Sequence, residues 1–406
     1  MKMLAKSINR NPEARQGASD TAEEAALRRW EGIGKPAAQD ELLGAYARNA
    51  AAGFGCNIEN YIGTVNIPLG VAGPLTVHGD EGTASYRYPL ATTEAALVAS
   101  YNRGCFVISL AGGCQSRVVA RGLARTPMFA FRSLPEAITF SEWLETQLAT
   151  LQAITREGSG HCRLLAVNGV IEGNHVYVRL DFTTGDASGQ NMVTFAAEAI
   201  CRWLLDNAFV RPVSWFLEAN LSGDKKATAQ VLAGVRGQKA ISEVVIPRTL
   251  VESRLHTSPE RMVDYWAAGS IGSVMAGAIG AQGHYANGLA ALYLACGQDV
   301  ACVAESAAGI TRMALTNDSD LYVSVTLPNL MLATVGGGTH LPFAQACLDI
   351  LGLAGPGNNS RFGEATAGLI LAGEISIVAA LCAHHFADAH RQFARRTVNF
   401  RGAGDE

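Results

Sequence analysis

The stretch "RLLAVNGVIEGNHVYVRLDFTT", Arg163 to Thr184, decides how the middle of this chain folds. Two runs rich in Val, Leu and aromatic residues, "RLLAVNGVIE" and "HVYVRLDFTT", flank a break at "EGN", residues 172–174. Strand-forming runs meeting at so short a Gly-Asn break read as a β-hairpin. Outward from the hairpin, a strand "MFAFR" and a helix "LPEAITFSEWLETQLATLQAIT" precede it. A helix "NMVTFAAEAICRWLLDNA" and a strand "PVSWFLEA" follow it. The order βαββαβ is that of a ferredoxin-like unit, which packs two helices on one face of an antiparallel sheet. Both flanks differ in character, so residues 127–219 read as a domain inserted into a larger one formed by 53–126 and 220–406, after a helical lead-in over 1–52. The expected class is α+β.

In the outer segments, "IENYIGTVNIPLGVAGPLTVHG" reads as extended pieces joined by Gly and Pro turns. A helix through "TTEAALVASYNRGCFVISLAGG" follows, with Thr92 and Thr93 where caps would stand. "RTLVESRLHTSPERMVDYWAA" is helix-like. The stretch 269–299, "GSIGSVMAGAIGAQGHYANGLAALYLACGQD", is poor in charge and rich in small residues, and is expected to be a central buried helix. "ATAGLILAGEISIVAALCAHH" near the end repeats the theme, interrupted by Glu374.

With 406 residues, 49% of them hydrophobic, the chain can bury a large core. A net charge of −4 and the absence of any long basic run exclude the electrostatic footprint of a nucleic-acid binder. Nine cysteines in no C-x-x-C pair argue against a disulfide framework or a structural zinc site, so no metal is expected and a reducing cytoplasm fits. No run reaches the roughly 18 uninterrupted apolar residues of a spanning helix, so no membrane segment is expected. Small molecules and further copies of the chain are the expected partners.

In so uncharged a framework the ionisable residues stand out. Glu94 opens an apolar helix, Lys225 and Lys226 follow an apparent strand in "LSGDKKATAQ", Asp299 ends "CGQD", and His390 lies near the end of the last helix. Each also has an ordinary account as cap, turn or surface residue.

Read together, "ENYIGTVNIPLGVAGPL", "TTEAALVASYNRG", "TTGDASGQNM", "DKK", "GSVMAGAIGAQGHYANGLAALYLACGQD" and "TVGGGTHLP" resemble the signature blocks of 3-hydroxy-3-methylglutaryl-CoA (HMG-CoA) reductases, in that family's order from about Ile58 to Arg395. The "GVAGPL" form is similar to the class shared by eukaryotes and archaea. The resemblance implies reduction of an acyl-CoA thioester to an alcohol and free coenzyme A with two reduced nicotinamides. That chemistry needs a cation at the carbonyl oxygen and proton donors for alkoxide and thiolate. By resemblance, Lys225 stabilises the oxyanion, Glu94 donates a proton, Asp299 links the two, and His390 protonates the CoA thiolate. Arg125, Asn220, Asp224 and Lys226 match the acyl-carboxylate set, His284 and Asn287 the substrate pocket, and Asn102 and Arg103 positions that meet CoA.

No G-x-G-x-x-G follows a strand, so the cofactor is expected on the insert, at Asp186, Ser188, Gly189, Gln190 and Asn191. The family's 2′-phosphate arginine falls on Gly160, leaving His161 and Arg163 to compensate; NADPH is the expected cofactor and NADH the alternative. Two other departures bear on the substrate. Glu218 falls on a family serine that grips the free carboxylate of the acyl group and Ala267 on a lysine, and a glutamate beside that carboxylate in a partly desolvated site is unfavourable. These departures leave a same-fold reductase of a different acyl-CoA thioester, one lacking the distal carboxylate, as the alternative, and a non-catalytic CoA-binding paralogue as the alternative outside enzymes. The family's regulatory phosphoserine aligns with Arg396. A homodimer or dimer of dimers, with sites completed by a second subunit, is the expected assembly.

Overall fold

The computed structural model describes residues 21–383. The chain divides into two compact units between Pro68 and Leu69. The first is helical: α1 (Ala22–Ile33), α2 (Pro36–Leu42), α3 (Ala45–Asn49) and α4 (Ala51–Asn57). A capping box starts α1, with the Glu24 amide donating to the Thr21 hydroxyl and the Thr21 amide donating to the Glu24 carboxylate.

The second unit is mixed α+β, as expected. Its strands are β1 (Leu69–Gly79), β2 (Gly82–Ala91), β3 (Cys114–Arg125), β4 (Met128–Ala130), β5 (Arg163–Glu172), β6 (His175–Thr183), β7 (Ser214–Phe216), β8 (Gly237–Ile246), β9 (Gly280–Ala281), β10 (Gly309–Leu315) and β11 (Leu321–Leu330). Its main helices are α5 (Leu97–Leu110), α6 (Leu134–Glu145), α7 (Leu148–Gly158), α8 (Gln190–Asn207), α9 (Pro259–Met275), α10 (Tyr285–Ala295), α11 (Pro342–Leu351) and α12 (Asn359–Cys382).

The hairpin at Arg163–Thr184 forms as its sequence reads: Glu172 pairs with His175 across Gly173 and Asn174, and Gly173 takes the positive φ of 56° that so tight a turn requires. Around it the strands lie in the order β7-β4-β6-β5, every pair antiparallel. Strand β3 joins this sheet to the other. Its first part pairs with β1 and β8, and its last three residues, Leu123 to Arg125, pair with β6. Arg125 therefore sits where one sheet passes into the next.

Several expected elements come out differently. Residues 269–299 do not form one buried helix: α9 ends at Met275, Gly277 and Gly280 take positive φ, and only α10 is buried. The end of α9 is open, with Val274 79% and Met275 84% exposed. The central buried helix is α12. Small side chains let its neighbours close in, for a Cβ on Gly104 of α5 would lie 1.9 Å from the Ala372 carbonyl oxygen. Among the described residues, α12 is the one helix long and apolar enough to cross a membrane, and it is buried inside the protein.

The helix expected over 134–155 is two, α6 and α7; at the break the Thr146 hydroxyl donates to the Trp143 carbonyl, competing with the helical ladder. The helix-like run from Arg248 breaks at His256 (φ 56°) and restarts at Pro259, capped by Ser258. Thr92 and Thr93 cap no helix. Thr92 Oγ1 accepts from the Glu94 amide, folding a tight turn, and α5 begins only after Ala96.

Candidate active site

Lys225 stands in a tight loop between β7 and β8. Gly223 and Lys225 both have positive φ, 73° and 56°. A non-glycine residue holds that conformation only where its surroundings enforce it. Here the Lys225 amide donates to Glu305 Oε1 at 3.2 Å, while its ammonium lies 2.8 Å from Asp299 Oδ2. The hydrogen bond to Asp299 raises the lysine's pKa above its ordinary value, against the opposing effect of burial. Both side chains stay about two-fifths exposed, at 41% and 42%, so a ligand can reach the pair.

Behind the lysine runs an alternating chain of charge. Arg125 Nη1 lies 3.5 Å from Glu218 Oε2 and 2.9 Å from Asp224 Oδ2. Arg236 bridges the other Asp224 oxygen to Glu305, with 2.7 Å between its Nε and Glu305 Oε2. Burial would raise the Asp224 carboxyl, but Arg236, Arg125 and Lys225 outweigh it and hold it below the usual range. Glu305 is pushed the other way, because burial outweighs Arg236.

Arg125 thus stands between the carboxylates of Glu218 and Asp224. The Glu218 oxygens also accept from the amides of Thr126 (3.3 Å) and Asn220 (2.8 Å) and from the Ser222 hydroxyl (3.0 Å). Glu218 is thus the acceptor that ties Thr126, just after β3, to the turn at Asn220 and Ser222. Arg125 is correspondingly spent on the protein: its Nη2 donates to the Gln190 carbonyl (3.2 Å) and the Thr194 hydroxyl (2.9 Å). Lys226 is exposed, its ammonium donating to the Asp224 carbonyl at 2.9 Å.

A second group forms at the start of α10. Asn287 Nδ2 donates to both Glu94 oxygens at 3.0 Å, and Glu94 is exposed in a turn before α5, with no ion pair among the described residues. His284 is the N-cap of α10, stacked on Tyr101 at 5.3 Å between ring centroids. Its Nδ1 lies 3.2 Å from the buried Glu374 carboxylate, which only accepts, so Nδ1 carries hydrogen. Burial would raise Glu374, but His284 and the amides of Gly283 and His284 outweigh it and hold it low.

Residues 26–395 match the family model described as hydroxymethylglutaryl-coenzyme A reductase. The chain belongs to the HMG-CoA reductase family. It is 41% identical over 364 residues to the 3-hydroxy-3-methylglutaryl-coenzyme A reductase of Pyrococcus horikoshii, covering 87% of each chain. To that of Methanothermobacter thermautotrophicus it is 43% identical over 341 residues, 84% of this chain and 85% of the relative. These archaeal relatives agree with the class read from "GVAGPL". Its fold is that of the Streptococcus pneumoniae reductase, at TM-score 0.66 and 18% identity over 87% of this chain and 96% of the other. A class II structure from that organism, bound to NADPH, gives 0.64 at 18% identity, with the same coverage.

Of the residues singled out through the family resemblance, Lys225 and Asp299 meet, while Arg125 and Lys226 contact Asp224, and Asn220 donates to Glu218 in the charged chain behind the lysine. Glu94, Asn287 and His284 gather at the other end of α10. Asp299 therefore does not link Glu94 to Lys225 within one chain; its carboxylate holds Lys225 and accepts from the Ala301 amide. Asn102 accepts from the Gly73 amide at 3.0 Å, and Arg103 donates to Ser376, so both brace the packing around α5. Ala267 lies exposed on α9. His390 lies outside the described residues.

In the "TTGDASGQNM" block, Asp186 accepts from the Gly357 amide (2.9 Å) and Gly189 is the N-cap of α8 at φ 72°. Gln190 reaches into the lysine cluster, its Nε2 3.2 Å from Cys302 Sγ. Ser188 and Asn191 flank this helix start. Arg163 pairs across the sheet with Thr183, beside the block, and His161 is exposed two residues before it. The "GGGT" turn has its close approach to protein, for a Cβ on Gly338 would lie 2.5 Å from the Gly297 carbonyl oxygen. That contact seats the loop carrying Asp299. Arg236 and Glu305 escaped the sequence reading. The available signal was a charged residue in each of two otherwise small and apolar stretches, "VRGQ" and "VAES".

Proposed function

We propose that this chain reduces HMG-CoA to mevalonate and free CoA with NADPH in two hydride steps, as a homodimer in the cytoplasm. The observation that carries the reading is the Lys225–Asp299 pair, 2.8 Å apart and open to ligand, within a chain of this family. As the thioester carbonyl gains electrons, the Lys225 ammonium stabilises the growing charge on its oxygen. The bond to Asp299 keeps that ammonium protonated, since it raises the lysine's pKa. Glu94, aimed by Asn287, serves as proton donor to the alkoxide. His390 would protonate the departing CoA thiolate.

When bound, the nicotinamide supplies the hydride. The α8 N-terminus fits a dinucleotide: Gly189 provides no side-chain cap, so the first amides of this 18-residue helix are free for a phosphate. Gln190 ties that helix end to the lysine cluster. Asp186, Ser188 and Asn191 line the same turn, and Arg163 and His161 are the basic side chains for a 2′-phosphate. The strand order β7-β4-β6-β5 supports the reading of 127–219 as a ferredoxin-like insert that carries this site. Arg125, bound on both terminal nitrogens by protein, positions Asp224 and Lys226 for the acyl carboxylate and leaves the contact to Lys226. Nine unpaired cysteines support a reducing compartment.

A different acyl group and a non-catalytic paralogue are both disfavoured, since relatives at about 40% identity over most of the chain are named reductases of HMG-CoA. The test is oxidation of NADPH, with NADH in parallel, by the purified protein and HMG-CoA. Two nicotinamides consumed per CoA thiol released, with mevalonate as product, support the reading. A folded protein that binds CoA and turns over neither nicotinamide overturns it.

A further inference from the structure

Two charged residues with no role in the chemistry above lie deep behind Lys225. Glu305 is 0% exposed and Arg236 2%. A buried carboxylate and guanidinium persist only when paired, and these pair with each other. Besides pairing with Glu305, Arg236 reaches Asp224, donates from Nη1 to the Ala124 carbonyl (2.9 Å) and from its backbone to Asn329 Oδ1 (2.8 Å). One Glu305 oxygen is spent on Arg236, while the other accepts the Lys225 amide at 3.2 Å.

Asp299 and Glu305 bracket one short segment, whose helical turns run over Val300–Cys302 and Val303–Ser306. That segment grips Lys225 twice, at the ammonium through Asp299 and at the backbone through Glu305. A lysine side chain alone is too flexible to fix its ammonium. Holding its strained backbone (φ 56°) and its tip against one rigid element removes that freedom.

We propose that Glu305, anchored on Arg236, is a positioning residue that locks the Lys225 backbone in its left-handed conformation and so sets the ammonium against Asp299. The proposal rests on the reading of Lys225 as the oxyanion-stabilising residue. Two readouts test it without activity: the rate at which acetic anhydride acylates Lys225, followed by peptide mass spectrometry, and hydrogen exchange at the Lys225 amide. In Glu305→Ala, acylation and exchange both rise several-fold, kcat falls about 100-fold, and KM for HMG-CoA stays within about twofold, because only the placement of the ammonium is lost. Glu305→Gln keeps an oxygen for the amide and recovers most of kcat.

If Glu305→Ala fails to fold around an unpaired Arg236, the double variant Glu305→Leu/Arg236→Met replaces the buried pair with apolar side chains and carries the same expectations. A folded variant with unchanged Lys225 acylation and amide exchange overturns the proposal, whatever its kcat. So does a Glu305→Gln variant no better than Glu305→Ala. If the unaltered chain does not oxidise NADPH with HMG-CoA, the functional reading fails. The acylation and exchange results, which need neither substrate nor cofactor, still decide the positioning claim.

Discussion

Replacing Glu374 with alanine should destabilise the protein by about 3 kcal/mol at neutral pH, and the figure follows from what its carboxylate accepts. It takes hydrogen bonds from the amides of Gly283 (2.8 Å) and His284 (2.9 Å), from His284 Nδ1 (3.2 Å) and from the Thr311 hydroxyl (2.7 Å). Two of these losses are cheap: Gly283 is exposed and can turn to water, and Thr311 keeps Tyr285 at 3.1 Å. The two His284 groups have no substitute, at roughly 1.5–3 kcal/mol each for bonds to a charged acceptor. Relief from burying a charge returns part of that sum, leaving about 3 kcal/mol. Because the folded carboxyl is held below its unfolded value, its contribution is complete above that value, about 4.3, and is lost as pH falls through the folded pKa. Urea unfolding at pH 7 and at stepwise lower pH is the assay. A gap within about 0.5 kcal/mol at pH 7, or one that does not narrow under acid, refutes the reasoning, because surface-like effects are of that size.

Three further outcomes are expected. Asp299→Asn lowers the pKa of Lys225, moves the alkaline limb of the kcat–pH profile to lower pH and cuts kcat by about 100-fold or more, while stability changes by under about 1 kcal/mol because the pair is exposed. Arg163→Ala raises KM for NADPH about tenfold and leaves NADH unchanged, as expected from one lost charge-assisted bond to the 2′-phosphate; equal effects on both nicotinamides count against that contact. Mixing inactive Glu94→Gln and Lys225→Ala chains after co-expression restores about a quarter of full activity if each site draws one residue from each subunit, and restores none if both come from one chain.

The hairpin at Arg163–Thr184 was legible because it depends on local pattern: alternating apolar runs, and a Gly-Asn turn that admits one close pairing. The stretch 269–299 misled for an equally physical reason. Small apolar residues suit a buried helix, but the same glycines accept positive φ, and at Gly277 and Gly280 the chain uses that freedom to leave the helix and form β9. Composition says how closely such a segment can pack and does not say against what. Thr92 shows the complementary limit, since a hydroxyl suited to capping a helix served a turn five residues before one.

The candidate site divides along the same line. Lys225 and Asp299 were reachable through the family resemblance, and the structure brings them to 2.8 Å. Glu218 read as a liability toward an acyl carboxylate because a sequence register reports position and not partners; in the structure its oxygens are engaged by Arg125 and by the amides of Thr126 and Asn220, and the Arg125 guanidinium stands between it and Asp224 in an alternating chain. Arg236 and Glu305 join that chain from positions 69 residues apart in sequence (305 − 236), each the single charge in an apolar stretch. A lone charge marks each position but nothing local marks their pairing, because it appears only when β8 and the helical turn at Val303–Ser306 are packed together. Their burial then carries the information that the sequence lacks: charges this deep are retained where they hold something in place, and what they touch on both sides is the loop of Lys225.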